Sequence, residues 1–265
     1  MKLLAIILAF GLFQYVNKPM FLRSFDWLHD LQQSLKKWIE NQYALIVTVV
    51  ILPLLILSIL MTHLFNFADN SIGYLLVHVA VLYYCLGPAT IFEMIQKGQT
   101  KQHLGINEEE APAEVVYKLT DAALHRWFAI FFWYVVFNVY GALAYRLLCH
   151  ISQSEKSEVI KVKLQSVMKV IEFPVTIVMT LSLALASDFD QIWKHCKQYL
   201  TTETITGLNS QYMYKSMDFA VEQCEIEEND ENKSQIIELT TYKVLKRMLV
   251  VWLVFSALMV IFSIG

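Results

Sequence analysis

The sequence predicts an all-α protein, a polytopic membrane bundle of four to six membrane helices with amphipathic and cytoplasmic helices attached. Three observations predict it. The 265 residues are 56% hydrophobic and 17% charged, whereas a soluble domain is close to half apolar and about a quarter charged. The apolar excess lies in long blocks rather than at a core period, as membrane segments require. One block, 123–148, also holds His125, Arg126, Asn138 and Arg146. Ionisable or amide groups at membrane depth cost a few kcal/mol, roughly, unless they face protein or water. That block is therefore expected to be central.

Taken in order, residues 3–16 form a short apolar run behind a single lysine, with no small-residue cleavage site after it. It reads as an uncleaved anchor. In 17–42, Phe21, Phe25, Leu28, Leu31, Leu35 and Trp38 recur three or four apart. That spacing fits a helix on the membrane surface or a packed connecting helix. Segments 43–65, with Pro53 inside, and 72–92 make a hairpin whose tip carries no Lys or Arg. The positive-inside rule puts that tip outside and the basic flanks in the cytoplasm.

Residues 96–126 are the first polar stretch; Asn107 ahead of Glu108, Glu109 and Glu110 reads as a capped helix start. Segment 127–149 follows, then 170–187, interrupted by Glu172 and Pro174. If both cross, the lysines of 156–169 fall outside, against the positive-inside rule, so one of the two is expected to be re-entrant or buried between helices. Residues 188–247 are polar, cytoplasmic and mostly helical. Lys243, Lys246 and Arg247 precede a final membrane segment, 248–264. All of this is read as one integral membrane domain, 1–265.

A net charge of −3 leaves no nucleic-acid footprint. No phosphate loop, dinucleotide fingerprint, zinc-protease helix or nucleophile elbow is written in the chain. Cys85, Cys149, Cys196 and Cys224 are far apart and read as ordinary thiols; no metal or cofactor is expected. The candidate polar site within the bundle is His78, His125, Asn138 and Arg146, with Glu93 and Glu172 as ion-pair partners. Arg146 suits bidentate recognition of a carboxylate or phosphate, or a structural ion pair, or a snorkelling position at the interface. His63 and His150 sit near helix ends within reach of interface water. Trp127, Trp133, Tyr134, Tyr140 and Tyr145 read as packing and interfacial aromatics.

His125-Arg126-Trp127-Phe128-Ala129, Phe132-Trp133-Tyr134 and Gly141-Ala142-Leu143-Ala144-Tyr145-Arg146 together resemble the AmpE family of bacterial inner-membrane proteins. At greater distance they are similar to the CobD/CbiB superfamily of corrinoid-biosynthesis membrane proteins. The run from His78 to Gly87 resembles that superfamily's H-x3-L-x3-LG helix. Phe173-Pro174-Val175 with Leu183-Ala184-Leu185 and Asp188-Phe189 resembles its proline segment. The likeness covers nearly the whole chain, with two departures: Thr176 stands where the superfamily has Arg, and a lone Gly141 where it often has paired glycines. The acid-rich corrinoid-enzyme signatures are absent.

The resemblance implies a multi-pass protein of the bacterial inner membrane, an accessory of cell-wall (muropeptide) recycling and β-lactamase induction. Its implied partners are the lipid bilayer and a cytosolic muropeptide amidase or a small anionic ligand. The alternative is a membrane-embedded enzyme that makes an amide or transfers a group to an anionic substrate, with His125, Asn138 and Arg146 lining its site. A small transporter is a third reading, with Pro53 and Pro174 breaking helices but no inverted repeat.

Overall fold

The computed structural model describes residues 2–15, 25–67, 71–86, 95, 111–224 and 233–263. Those residues form eleven α-helices and a π turn, with no strand among them. The helices are α1 (Lys2–Tyr15), α2 (Asp26–Lys36), α3 (Gln42–Phe67), α4 (Ser71–Cys85) and α5 (Pro112–Ala123). The π turn Leu124–Phe128 leads into α6 (Ala129–Ser154) and α7 (Glu158–Ala186). Then come α8 (Phe189–Tyr199), α9 (Thr202–Thr206), α10 (Gln211–Glu222) and α11 (Lys233–Ser263). The fold is the all-α membrane bundle that composition predicts. Gln42–His63, Pro112–Ser154 and Glu158–Ala186 are long and apolar enough to cross a membrane, and Lys2–Phe13 and Ile72–Cys85 are shorter apolar helices. The chain divides into two compact units, Met1–Pro88 with Ala129–Met168, and Ala89–Phe128 with Lys169–Gly265.

In the first unit α1, α3 and α4 pack around α6, and α2 lies on α3. Ala5, Ile6, Ala9 and Phe13 are the buried face of α1, while Leu4, Ile7, Leu8 and Leu12 point out. On α3 the same division separates Leu45, Ile46, Val49, Val50, Leu57 and Met61, buried, from Val47, Ile51, Leu55, Ile56, Ile59 and Leu60, exposed. A helix that is apolar all round belongs in a membrane or a large core. The small Ala5 and Ala9 on the inner face let backbones approach closely. Trp27 of α2 donates its indole N–H to the Tyr84 hydroxyl at 2.6 Å, which ties the amphipathic helix to α4.

Segment 127–149, a single stretch in sequence, turns back on itself within this unit. Phe137 and Asn138 leave helical geometry, Asn138 with φ 58°. An L-residue with positive φ is uncommon, Asn being among the most tolerant types. A Cβ on Gly141 would lie 2.3 Å from the Trp133 carbonyl oxygen. In a continuous helix, residues eight apart are separated by about 12 Å, so 129–136 and 139–154 are two limbs of a helical hairpin.

Contacts along α4 give the same path. His78 meets Tyr134, Tyr74 lies within electrostatic reach of Tyr140, and Tyr84 shares the Phe25 ring with His150. A straight helix would carry Tyr134 about 9 Å beyond Tyr140, past the start of α4. Instead Tyr134 sits back at the level of His78. Lys2 of α1 donates from Nζ to the Val135 carbonyl at 2.9 Å, satisfying an acceptor in the last turn before the break. Phe10 packs edge-on against Phe131 at 6.0 Å.

In the second unit α5 packs on α10 and α11, and α8 and α11 also pack on α10. Val115, Val116, Leu119, Ala122 and Ala123 bury the inner stripe of α5. Phe128 meets Trp252 of α11 edge-on at 5.5 Å. Pro112 starts α5 where its missing N–H costs nothing. Pro174 sits inside α7, and nearby the Thr176 hydroxyl donates to the Phe173 carbonyl at 2.8 Å. Asp188 caps α8 by accepting the Gln191 N–H at 3.2 Å.

The hairpin makes a paired prediction. Gly141→Ala forces a Cβ onto the Trp133 carbonyl and destabilises by about 1–3 kcal/mol, as overpacking does. Gly73→Ala, whose Cβ meets nothing within 4 Å, is neutral or stabilises by roughly 0.5–1 kcal/mol. Thermal unfolding of both purified variants in one detergent measures the difference.

Candidate functional site

The residue that organises the second unit's polar chemistry is His125, placed by the π turn that interrupts an otherwise regular run. π turns shift the hydrogen-bond ladder from four residues to five and recur at functional sites. The Asp121 carbonyl oxygen accepts the Leu124 N–H and also lies 2.8 Å from His125 Nδ1. The Asp121 carboxylate Oδ2 is 3.4 Å from the same nitrogen. On the ring's other side His125 Nε2 is 3.0 Å from Oε1 of Glu172 on α7.

His125 is thus held from both sides, Nδ1 donating to the Asp121 carbonyl and Nε2 facing the Glu172 carboxylate. Histidine in contact with a carboxylate is a pairing that general acid–base chemistry uses.

Tyr214 of α10 completes the arrangement, donating its hydroxyl to Asp121 Oδ1 at 2.8 Å. Burial, and then Asp121 itself, push the Tyr214 pKa far above that of an ordinary phenol. It therefore stays a neutral donor. Its ring lies 4.4 Å from that of Tyr117 on α5. Together these groups wall a cavity of about 470 Å³ whose lining also includes Lys169 of α7 and the turn 207–211. Leu208 in that turn has φ 49°, a left-handed conformation costly for a branched side chain. Behind the cavity, fully buried Thr176 bonds the Tyr212 hydroxyl at 2.7 Å and lies 3.3 Å from Ser210 Oγ. Burial pushes the Tyr212 phenol up to about 12. The Thr176 contacts hold the start of α10 against α7.

Of the residues singled out in sequence, the structure brings His125 and Glu172 together. His78, Asn138 and Arg146 belong to the first unit, at three separate places. His78 is buried in α4, 2.7 Å from the Tyr134 hydroxyl through Nδ1, with its ring centroid 4.1 Å from that of Tyr74. Asn138 forms the hairpin's turn. The guanidinium of Arg146 lies 5.3 Å over the Phe25 ring, near the end of α6 that meets α2. Glu93 lies outside the described residues, as does the expected cap at Asn107. Asp121, one turn ahead of His125, was not singled out. Neither were Tyr214 and Lys169, because only the packing of α5, α7 and α10 gathers them.

Two substitutions test the network. Thr176→Val strands the buried Tyr212 hydroxyl and costs about 1–3 kcal/mol of stability, whereas Tyr214→Phe removes only a donor at the cavity wall and costs about 1 kcal/mol. Denaturant unfolding of the two variants separates them.

A pH test uses Asp218 of α10. Burial, and then Glu222, raise its pKa above the ordinary carboxylate value, against the lowering effects of Lys215 and His195. A carboxyl group with a raised folded-state pKa favours folding most when protonated. That contribution is present below the unfolded pKa and lost as pH rises through the folded one. Asp218→Asn therefore stabilises the protein more at pH 7 than at pH 4, read as the difference in melting temperature from the parent at each pH.

No family model, curated protein or solved structure matches the chain.

Proposed function

We propose that the chain is an AmpE-like accessory protein of the bacterial inner membrane that takes a small polar ligand into the cavity between α5, α7 and α10. In this reading its polar segments face the cytoplasm, and ligand occupancy links cell-wall recycling to β-lactamase induction. The observation that carries it is the Asp121–His125–Glu172 arrangement, whose two carboxylates line that cavity. It begins one turn before His125-Arg126-Trp127, the start of the stretch that carries the resemblance. The Asp121 and Glu172 carboxylates, Tyr117 and Tyr214 as an aromatic wall, and the Lys169 ammonium in the lining fit a ligand with hydroxyl, amide or acidic groups. A cytosolic muropeptide amidase is the partner this role requires.

Deletion in a host with inducible β-lactamase should change induction or the pool of cell-wall fragments. Glu172→Gln, which keeps the shape and removes the charge, should reproduce the deletion at unchanged protein level. Induction and fragment pools equal to the parent's in both strains would overturn the reading.

The second reading, an enzyme forming an amide or transferring a group to an anionic substrate, is favoured by one feature, the contact of His125 with the Glu172 carboxylate. It predicts a precursor that accumulates and a product that vanishes in the deletion strain, seen by untargeted mass spectrometry. The accessory reading predicts shifted fragment levels with no such pair.

A further inference from the structure

We infer that α6 is a re-entrant membrane hairpin that does not cross the bilayer: both limbs open at the membrane surface where α2 lies, and the tip at Val136 and Phe137 is seated in lipid acyl chains. The inference is independent of the proposed function.

Four observations carry it. The path reverses at Phe137 and Asn138, with the Trp133 carbonyl against Gly141. The limb ends share one end of the first unit: Phe131 packs on Phe10, Phe13 of the same helix packs on Tyr83, and Tyr84 shares Phe25 with His150 and Arg146. The tip lies at the opposite end, beside Lys2 and Tyr74. Residues 129–145 contain no charged side chain, and the Lys2 ammonium that reaches the tip is turned onto the Val135 carbonyl.

The occupant follows from what surrounds the tip. Val136 and Phe137 are 47% and 58% exposed, and at the same end of the unit the outward residues of neighbouring helices, Leu4, Ile72 and Leu76, are equally apolar and exposed. The tip thus shares its exposed apolar character with α1 and α4, the two shorter apolar helices beside it. Irregular backbone survives at membrane depth only when its polar groups are satisfied within the protein, and Lys2 does this for Val135. The tip therefore exposes side chains, while that carbonyl next to the break is met from inside the unit. Such a hairpin also removes the conflict in the charge pattern. One block fewer crosses, and the lysines of 156–169 stay on the basic side.

The test uses the full chain in lipid vesicles with its four cysteines changed to serine. Phe132→Cys with Leu143→Cys is treated with a bismaleimide much shorter than the separation of about 16 Å that a straight helix would impose. Phe137→Cys, or Val136→Cys should that variant misfold, carries a nitroxide whose collisions with oxygen and with a water-soluble nickel complex are compared. The expected result is an intramolecular crosslink and a tip that oxygen reaches and nickel does not. Absence of the crosslink, while His78→Cys with Tyr134→Cys is joined, overturns the hairpin. A nickel-accessible tip overturns its insertion in lipid. Crosslinking of Phe137→Cys between two chains overturns lipid as the occupant in favour of a second copy.

Discussion

The constraint on which the first unit depends is the contact of Gly141 with the Trp133 carbonyl oxygen. A reversal between two packed helical limbs brings backbones together near the turn, and a side chain at the crossing holds them apart. Only glycine leaves the space, and here even one carbon would overlap an oxygen. From that contact follow the positive φ of Asn138, the placement of Tyr134 beside His78, and the exposed carbonyl that Lys2 must satisfy. The bundle's polar residues at this end are thus answers to a single backbone event.

The second unit is built on a different economy of hydrogen bonds. His125 is gripped at both ring nitrogens, by Asp121 at Nδ1 and by Glu172 at Nε2. The π turn makes that grip possible by letting the Asp121 carbonyl take the ring as well as the chain. Tyr214 meets the remaining carboxylate, and Thr176 fixes the start of the helix that presents Tyr214.

How much of this was legible in sequence depends on the range of the signal. Helix positions were, because blocks such as 43–65 announce themselves by length and composition, and α3 occupies Gln42–Phe67. The pairing of His125 with Glu172 was legible only as two candidates 47 residues apart. Neither residue names the other, and the short link from His125 to Asp121 was hidden under helical periodicity. The reversal within 127–149 was invisible to hydropathy, since a hairpin of two apolar limbs and a single apolar helix have the same composition. What pointed to it was charge. Lysines at 156–169 are misplaced if every block crosses, and the residues at the reversal, Asn138 and Gly141, were present but read as a candidate site residue and as the lone glycine of the family-like motif.

A polar residue inside an apolar block therefore has two physical explanations, and the structure separates them by what the side chain touches. Lys2 hydrogen-bonds the backbone of a neighbouring helix, Thr176 bonds its own helix and the Tyr212 hydroxyl, and Asn138 supplies a backbone conformation; all three keep helices in place. His78, buried and bonded to Tyr134, joins a helix to a limb of the hairpin. His125 and Glu172 differ in kind. They bond each other and Asp121, and Glu172 and Asp121 reach an open volume that Tyr117, Lys169 and Tyr214 also line. Groups that exist to hold a fold are spent on the fold's own acceptors and donors. Asp121 and Glu172 also border a volume that the fold leaves open.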